Sequence, residues 1–172
     1  MHIIIDGYNL IRQSGQLRRF ERLGLEEGRK HLIEKLANFK KVRGHKVTVV
    51  FDGWQNGPLA EERTREGSIL VIYSKRGERA DDVIRKMAAG GGKGLMVITS
   101  DRDLAFAVSR FGATAISSQR FEDSMDQLAG SMGTEMDKDL DDEDISLRTK
   151  KKGPAKRISK NKRAALSAVK KL

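Results

Sequence analysis

Short apolar segments alternate along the chain with longer segments in which apolar residues recur at helical spacing. The apolar segments, which predict strands, lie at residues 3–5, 46–51, 68–73, 96–98 and 113–116. The amphipathic segments, which predict helices, lie at residues 24–43, 79–89, 102–111 and 119–132. The first of these helices is predicted to face the core through Leu25, Leu32, Leu36, Phe39 and Val42. Residues 54–67 predict mainly a loop or a short helix. The alternation is typical of an α/β fold, a three-layer Rossmann-like sandwich with a mainly parallel central sheet.

Acidic residues follow four of the five predicted strands. Asp6 comes directly after the first strand, Asp52 after the second, Asp81 and Asp82 soon after the third, and Asp101 after the fourth. In an open parallel sheet, ligands bind beyond the carboxyl ends of the strands. Two carboxylates about 5 Å apart would repel each other by roughly 3 kcal/mol at an effective dielectric constant near 20. The pattern therefore predicts a site for one or two Mg²⁺ or Mn²⁺ ions, which prefer oxygen ligands.

The placement of these residues separates direct ligands from supporting ones. Asp6 and Asp101 end strands that become neighbours where the strand order reverses, so we expect both to bind the metal directly. Asp103 can reach the same region from the first turn of the next helix. Asp81 and Asp82 start the helix after the third strand, so at least one of them can face the same region from the side.

Each of the other acidic residues has an ordinary structural alternative. Acidic residues are favoured at helix starts as caps and by the helix dipole, which applies to Asp81, Asp82 and Asp103. Asp52 is followed by Gly53, a pair that is also typical of a turn. At these positions the sequence leaves both interpretations open.

Composition narrows the class of protein and of site. With 38% hydrophobic residues, the chain can bury one core, while its apolar segments are far shorter than the roughly 20 residues that cross a bilayer. The N-terminal residues do not match a signal peptide, so we expect a cytoplasmic protein without a membrane partner. The sequence contains no cysteine and only three scattered histidines. A Cys-based zinc site is therefore excluded, and oxygen atoms are the expected ligands.

Charge divides the chain into three parts. Of its 34 basic residues, 11 lie in residues 148–172, which contain no acidic residue, and the other 23 are nearly balanced by 24 acidic residues. We therefore predict a folded domain over residues 1–132, an acidic linker over 133–147 and a flexible basic tail over 148–172 that is disordered or becomes helical when bound. Such a tail is typical of a nucleic-acid-binding arm, and the alternative is a solubilising segment.

Two further segments carry polar residues near the predicted site. Ser100 has no nearby histidine that would make it a nucleophile, so we expect it, or Thr99, to hold a metal-bound water or to cap the helix. Lys75, Arg76 and Arg79 form a basic loop before the Asp pair. Such a loop can contact a phosphodiester backbone, and the alternative is a solvated loop.

Four motifs follow the predicted strands in order. They are Asp6-Gly7-Tyr8-Asn9, Phe51-Asp52-Gly53, Gly77-Glu78-x-Ala80-Asp81-Asp82 and Thr99-Ser100-Asp101-Arg102-Asp103. Together, over residues 1 to about 130, they resemble the YacP-like NYN-domain proteins of the PIN-like nuclease superfamily. The resemblance implies a PIN-like α/β sandwich and metal-dependent endoribonuclease activity on RNA. It also suggests ribosome-associated mRNA as a substrate and the ribosome as a partner.

The pattern and the resemblance together predict three sets of residues. The catalytic and metal-binding set, in which Asp81 is the alternative to Asp82, is Asp6, Asp82, Asp101 and Asp103. The supporting set is Asn9, Asp81, Ser100 and Asp52. The predicted RNA contacts are Lys75, Arg76, Arg79, Arg102, Lys150, Lys151, Lys152, Lys156 and Arg157.

Two other function classes remain open at the level of the sequence. A non-catalytic RNA-binding or ribosome-binding adaptor would bind RNA without turning it over in any divalent metal. A small-molecule phosphatase would hydrolyse a generic phosphomonoester but not RNA. The commonest acidic phosphatase design is disfavoured, because Asp6-Gly7-Tyr8 lacks a second Asp two residues after the first.

Deleting residues 148–172 is expected to weaken RNA binding and to flatten its dependence on salt. Each phosphate neutralised by a basic residue contributes a slope of up to about one. Fluorescence anisotropy of labelled RNA across a salt series measures both quantities. Unchanged affinity at low salt would contradict a binding role for the tail.

Overall fold

A six-stranded sheet lies between two layers of helices in the computed structural model, which describes residues 1–53 and 57–133. The strands are β1 His2–Asp6, β2 Lys46–Phe51, β3 Glu62–Glu66, β4 Ile69–Tyr73, β5 Leu95–Ile98 and β6 Thr114–Ile116. The helices are α1 Gly7–Gln13, α2 Leu17–Glu21, α3 Leu25–Arg43, α4 Ala80–Gly91, α5 Arg102–Arg110 and α6 Ser118–Gly133. The predicted α/β class with a mainly parallel sheet is confirmed. From residue 134 onward, the predicted acidic linker and basic tail lie outside the described residues.

The order of the strands is β3-β4-β2-β1-β5-β6, and all neighbouring pairs are parallel except β3 with β4. From β1 the chain forms β2 and then β3 and β4, of which β3 is the edge strand and β4 pairs with β2. It then crosses to the other side of β1 to form β5. Ile3 of β1 accordingly lies opposite both Val47 of β2 and Met96 of β5. The order reverses at β1, which creates a crevice beyond the carboxyl ends of β1 and β5. The predicted adjacency of the two strands that end near Asp6 and Asp101 is confirmed.

Alternate side chains of the central strands pack into two separate cores, one on each face of the sheet. Ile3 and Ile5 lie in the core covered by α1, α2, α3 and α6, whereas Ile4 lies in the core covered by α4 and α5. Leu25 and Val42 were predicted to face the core, but they are 53% and 43% exposed. They lie near the two ends of α3, and the buried residues of this helix lie between them. No helix in the described part of the chain is long and apolar enough to cross a bilayer.

Strand β3 was missed, because residues 54–67 were predicted to form mainly a loop or a short helix, whereas Glu62–Glu66 within this segment form a strand. The strand has the sequence Glu-Arg-Thr-Arg-Glu and is almost wholly exposed. It pairs with β4 alone, and Gly67 at φ 58° permits the tight turn between the two strands. A charged edge strand is an ordinary way to prevent further strand pairing. Since neither face of this strand is buried, it has no apolar periodicity that a sequence could reveal.

The start of α1 lies directly against β2, and Gly7 makes this contact possible. A Cβ atom at Gly7 would lie 2.4 Å from Cε1 of Phe51 and 3.0 Å from Cγ2 of Val49. The Phe51 ring is fully buried and cannot swing away. The close packing therefore fixes the direction in which the chain leaves β1 after Asp6.

Substituting Gly7→Ala is expected to lower the free energy of unfolding by about 1–3 kcal/mol, because the added methyl group overpacks a buried ring. Urea denaturation followed by circular dichroism measures the change. Gly15→Ala is the matched control, since a Cβ at Gly15 meets no atom within 4 Å. Equal losses in the two variants would show that the contact with Phe51 is not the cause.

Candidate active site at the carboxyl edge of the sheet

A cavity of about 1130 Å³ lies beyond the carboxyl ends of the central strands. Its wall includes Asp6 at the end of β1, Asn9 of α1, Asp52 after β2, and Asp81 from the first turn of α4. Arg29 of α3 also contributes to the wall. The topology thus gathers polar side chains from distant parts of the chain at one place.

Asp6 is a buried carboxylate, with only 8% of the residue exposed. Its Oδ1 accepts a hydrogen bond of 3.2 Å from the backbone N–H of Asn9, which caps α1, and its Oδ2 accepts one of 3.4 Å from Thr99 Oγ1. Burial raises the pKa of Asp6 to about 6, and the negative charges of Asp81 and Asp101 act in the same direction. The two hydrogen bonds oppose this rise without cancelling it. Asp6 therefore lies in an environment that disfavours its negative charge.

The two acidic residues at the start of α4 have different surroundings. Asp81 lines the cavity, and its pKa is raised by burial and then by the charge of Asp101, while Arg85 lowers it. Asp82 has a side chain that is 47% exposed, and its Oδ2 accepts a 3.4 Å hydrogen bond from the backbone N–H of Arg79. The structure therefore places Asp81 on the cavity wall and Asp82 at the helix cap. The sequence predicted Asp82 in the metal-binding set and Asp81 in the supporting set, whereas it is Asp81 that lies on the cavity wall. The chemical roles of both residues stay predictions.

Asp101 is fixed by the start of α5. Its Oδ1 accepts hydrogen bonds from the backbone N–H groups of Asp103, at 2.8 Å, and Leu104, at 2.9 Å. Its own N–H donates to Thr99 Oγ1 at 3.1 Å, so the Thr99 hydroxyl connects Asp101 to Asp6. Asp103 is exposed and contacts Asp101 through its backbone. The structure thus brings Asp6, Asp81 and Asp101 within electrostatic reach of one another.

Asn9 connects three segments around the site. Its Oδ1 accepts a 2.9 Å hydrogen bond from the N–H of Ser100 and a 2.8 Å hydrogen bond from the hydroxyl of Ser118. The hydroxyl of Ser100 in turn accepts a 3.2 Å hydrogen bond from the N–H of Ser118. Ser100 therefore contacts the start of α6 through its side chain. Sequence reasoning missed Ser118, because a single serine at a helix start gives no signal of its distant partners.

Asp52 lies on the cavity wall, directly after β2. The N–H of Gly53 donates to Ser74 Oγ at 2.8 Å, and this hydroxyl donates to the carbonyl of Glu78 at 2.7 Å. A Cβ at Gly53 would lie 2.0 Å from the carbonyl oxygen of Ser74. The segment after β2 is therefore packed against the end of β4, and the interpretation of Asp52-Gly53 as a turn stays a prediction.

The predicted RNA contacts lie only in part within the described residues. All four predicted contacts within the described residues are exposed to solvent, namely Lys75, Arg76, Arg79 and Arg102, and Arg79 also lies on the cavity wall. The exposed residues are accessible to a large ligand, and their contact with RNA stays a prediction. The predicted contacts that lie outside the described residues are Lys150, Lys151, Lys152, Lys156 and Arg157.

Sequence reasoning missed a basic and aromatic part of the cavity wall. The guanidinium carbon of Arg29 lies 5.4 Å from the ring centroid of Tyr73, and Arg29 Nη1 donates to the Tyr8 hydroxyl at 3.5 Å. All three residues line the cavity. Nothing in the sequence indicated that Arg29 lines the cavity. It lies in a helix with many charged residues, where a solvent-exposed position is the ordinary expectation.

The donor atoms at this edge suit an oxygen-binding divalent cation, because carboxylates are the ligands that Mg²⁺ and Mn²⁺ prefer. Among residues 1–53 and 57–133, no group of three Asp, Glu, His or Cys side chains forms a ready-made metal site. Mg²⁺ does not need such a cage, since it is usually bound by one or two carboxylates, several waters and substrate phosphates. The arrangement fits an ion that shares its coordination with a substrate.

Asp6 should make the stability of the protein depend on pH in a defined direction. In the unfolded chain it loses its proton near the ordinary value of 3.8, but in the folded protein it does so at about 6. Stability should therefore fall as pH rises between about 4 and 6 and stay lower above that range. Asp6→Asn should raise the free energy of unfolding at about pH 7.5 by up to about 3 kcal/mol and give no gain at about pH 4. Urea titrations with a chelator present measure this, and an equal gain at both pH values would contradict the burial of the charge.

Comparisons with known proteins place the chain in a family. The model of the YacP-like NYN domain matches residues 3–171, which extends beyond the end of the sequence resemblance at about residue 130. The uncharacterized protein YacP of Bacillus subtilis (strain 168) is 36% identical over 86 residues. This alignment spans half of this chain and half of that relative.

Solved structures show the same fold. The crystal structure of Rae1 (YacP) from Bacillus subtilis matches with a TM-score of 0.67 and 27% identity, over 79% of each chain. A tryptophan-to-leucine mutant of that protein matches with a TM-score of 0.66 and 27% identity, over 77% of this chain and 79% of the other. The family model covers nearly the whole sequence, and the structures agree with it. The chain therefore belongs to the YacP-like NYN domain family, a family of NYN/PIN-like nucleases.

Proposed function

We propose that this protein is a cytoplasmic endoribonuclease that hydrolyses RNA phosphodiester bonds with the help of one or two Mg²⁺ or Mn²⁺ ions. The observation that carries the proposal is the convergence of Asp6, Asp81 and Asp101 from three separate segments of the chain. The pKa values of Asp6 and Asp81 are both raised, and the charge of Asp101 contributes to each rise. Perturbed acidic residues in a cavity are typical of functional sites, and family membership supports nuclease chemistry.

Each of these acidic residues has a defined part in the proposed mechanism. Asp6 and Asp101 would hold the metal from the ends of β1 and β5, and Asp81 would complete the site from α4. When bound, the ion supplies an activated water and stabilises the charge that develops at phosphorus. Thr99 keeps Asp6 and Asp101 in fixed relation by hydrogen bonding to both. Asn9 is a positioning residue, because its amide oxygen ties the end of β5 to the start of α6.

The proposed substrate is RNA, with ribosome-associated mRNA as the substrate that the family resemblance suggests. Binding would combine contacts in the cavity with a general attraction by the basic segment 148–172. Comparing cleavage of one mRNA free in solution and during translation tests the association with the ribosome. Equal cleavage in both states would argue against it and leave the RNA-cleaving activity in place.

The neighbouring residues Asp81 and Asp82 offer a direct test of the proposed site. Asp81→Asn is expected to lower kcat/KM for labelled RNA by about 100-fold or more, since even supporting residues of metal sites change activity by about 10–100-fold. Asp82→Asn should cost much less, because this residue caps α4 and its loss acts mainly on stability. Asp123→Asn, an exposed change on α6, is the matched control for the loss of one carboxylate.

The same assay distinguishes the proposal from the other function classes. Equal activity of wild type and Asp81→Asn would remove Asp81 from the site, and undiminished cleavage by Asp101→Asn would overturn the assignment as a whole. RNA binding without turnover in Mg²⁺, Mn²⁺ or any other divalent metal would indicate an adaptor. Turnover of a generic phosphomonoester without cleavage of RNA would indicate a phosphatase.

A further inference from the structure

The cavity wall contains a positively charged side chain, that of Arg29, which has no part in the proposed binding of metal by the carboxylates. Arg29 is half-buried, and its guanidinium group is held by the ring of Tyr73 and the hydroxyl of Tyr8. Within the part of the chain that the structure describes, no carboxylate lies within ion-pair distance of Arg29. A guanidinium group positioned in a cavity without an acidic partner is suited to an anionic ligand.

The aromatic rings around Arg29 act as supports for arginine side chains. Tyr73 stacks on the buried ring of Phe51, with centroids 5.7 Å apart, and Tyr8 meets the same ring edge-on at 5.2 Å. Arg29 lies over Tyr73, and Arg12 lies over Tyr8 with its guanidinium carbon 5.6 Å from the centroid. The rings are therefore already engaged by guanidinium groups through cation–π contacts. This arrangement favours binding of phosphate over stacking of bases.

Arg12 and Arg29 differ in the anions available to them. Arg12 is paired with Glu21, whose Oε1 lies 3.5 Å from Arg12 Nε, and its side chain is 66% exposed. Arg29 lies deeper and has the two tyrosines as its contacts. Of the two, Arg29 is thus the better placed to receive a ligand inside the cavity.

The charge of the cavity makes such a residue necessary for a polyanionic substrate. The charged residues of the wall are the acidic Asp6, Asp52, Glu62 and Asp81 and the basic Arg12, Arg29 and Arg79. An RNA strand that approaches these carboxylates is repelled unless nearby cations compensate for its phosphates. Arg29 provides one such charge in an orientation set by its aromatic neighbours.

We propose that Arg29 is a phosphate-binding subsite for the backbone of single-stranded RNA, holding a phosphate beside the one that is cleaved. This inference rests on the proposed endoribonuclease function. The cavity of about 1130 Å³ is only slightly larger than a small-molecule site of about 300–1,000 Å³, so it accommodates a few nucleotides of one strand. Because a phosphate contact carries no sequence information, the subsite binds RNA of different sequences equally.

Binding measured without catalysis tests the subsite separately from the nuclease activity. Fluorescence anisotropy of a short labelled single-stranded RNA is recorded with a chelator across a salt series, using the full chain. Arg29→Ala is expected to weaken binding about tenfold and to lower the salt slope by about one. Arg29→Lys should retain the slope and weaken binding by a smaller factor, because it keeps the charge and loses the planar fork. Arg43→Ala, an exposed change at the far end of the same helix, is the matched control.

The outcomes separate the subsite from the proposed function. A loss of affinity and slope in Arg29→Ala, with Arg43→Ala and the thermal melting curve unchanged, supports the subsite. Wild-type affinity and slope in Arg29→Ala overturn it, while cleavage by the wild type keeps the nuclease proposal. If the wild type neither binds nor cleaves RNA, both proposals fail. A nucleoside monophosphate that competes as strongly as the oligonucleotide would indicate a phosphomonoester site and also overturn the assignment to an RNA backbone.

Discussion

The buried carboxylate of Asp6 is the constraint on which the rest of the site depends. Removing a carboxylate from water disfavours its charge, and Asp81 and Asp101 add like charges from neighbouring segments. Hydrogen bonds from Asn9 and Thr99 offset part of this cost, yet the pKa of Asp6 stays raised to about 6. The fold thus maintains a charge cluster that reduces its own stability at neutral pH. A functional requirement is the usual reason for such a cost.

Helix capping and functional placement are the same feature in this structure. Asp6 caps α1 and Asp101 caps α5, so each carboxylate is fixed by the backbone of the helix that follows its strand. The strand order then brings these helix starts together, because β1 and β5 are parallel neighbours. From the sequence alone, a helix cap and a metal ligand are alternative roles for such an Asp residue. In the structure the two roles are compatible, because the hydrogen bonds of the cap also hold the carboxylate in a fixed position. Asp82 differs, because its capping role turns its carboxylate toward the N–H of Arg79.

Several parts of the structure could be predicted because each left a periodic or compositional signal. The central strands are buried on both faces and therefore appear as continuous apolar segments, and their alternation with helices determined the parallel topology. The sequence could not show which of Asp81 and Asp82 lies on the cavity wall, because this depends on the exact residue at which α4 begins. Strand β3 buries neither face, and Arg29 belongs to a charged helix, so neither departs from an ordinary surface pattern. The contacts of Ser118 depend on tertiary neighbours distant in sequence.

The distribution of charge within the cavity explains how one small domain could both attract and cleave a polyanion. Residues 1–132 contain 22 basic and 17 acidic residues, so this part of the chain carries a modest excess of positive charge that can attract RNA. Net charge alone does not position a phosphate, so the local arrangement of charges must do this. Carboxylates at the strand ends provide the place where a cation can compensate for a phosphate, while Arg29, held by Tyr8 and Tyr73, can receive another phosphate directly. Both groups, the carboxylates and Arg29, must be held in fixed positions for this. The buried ring of Phe51 connects them, because it contacts Tyr8 and Tyr73 on one side of the site and lies where a side chain at Gly7, next to Asp6, would be.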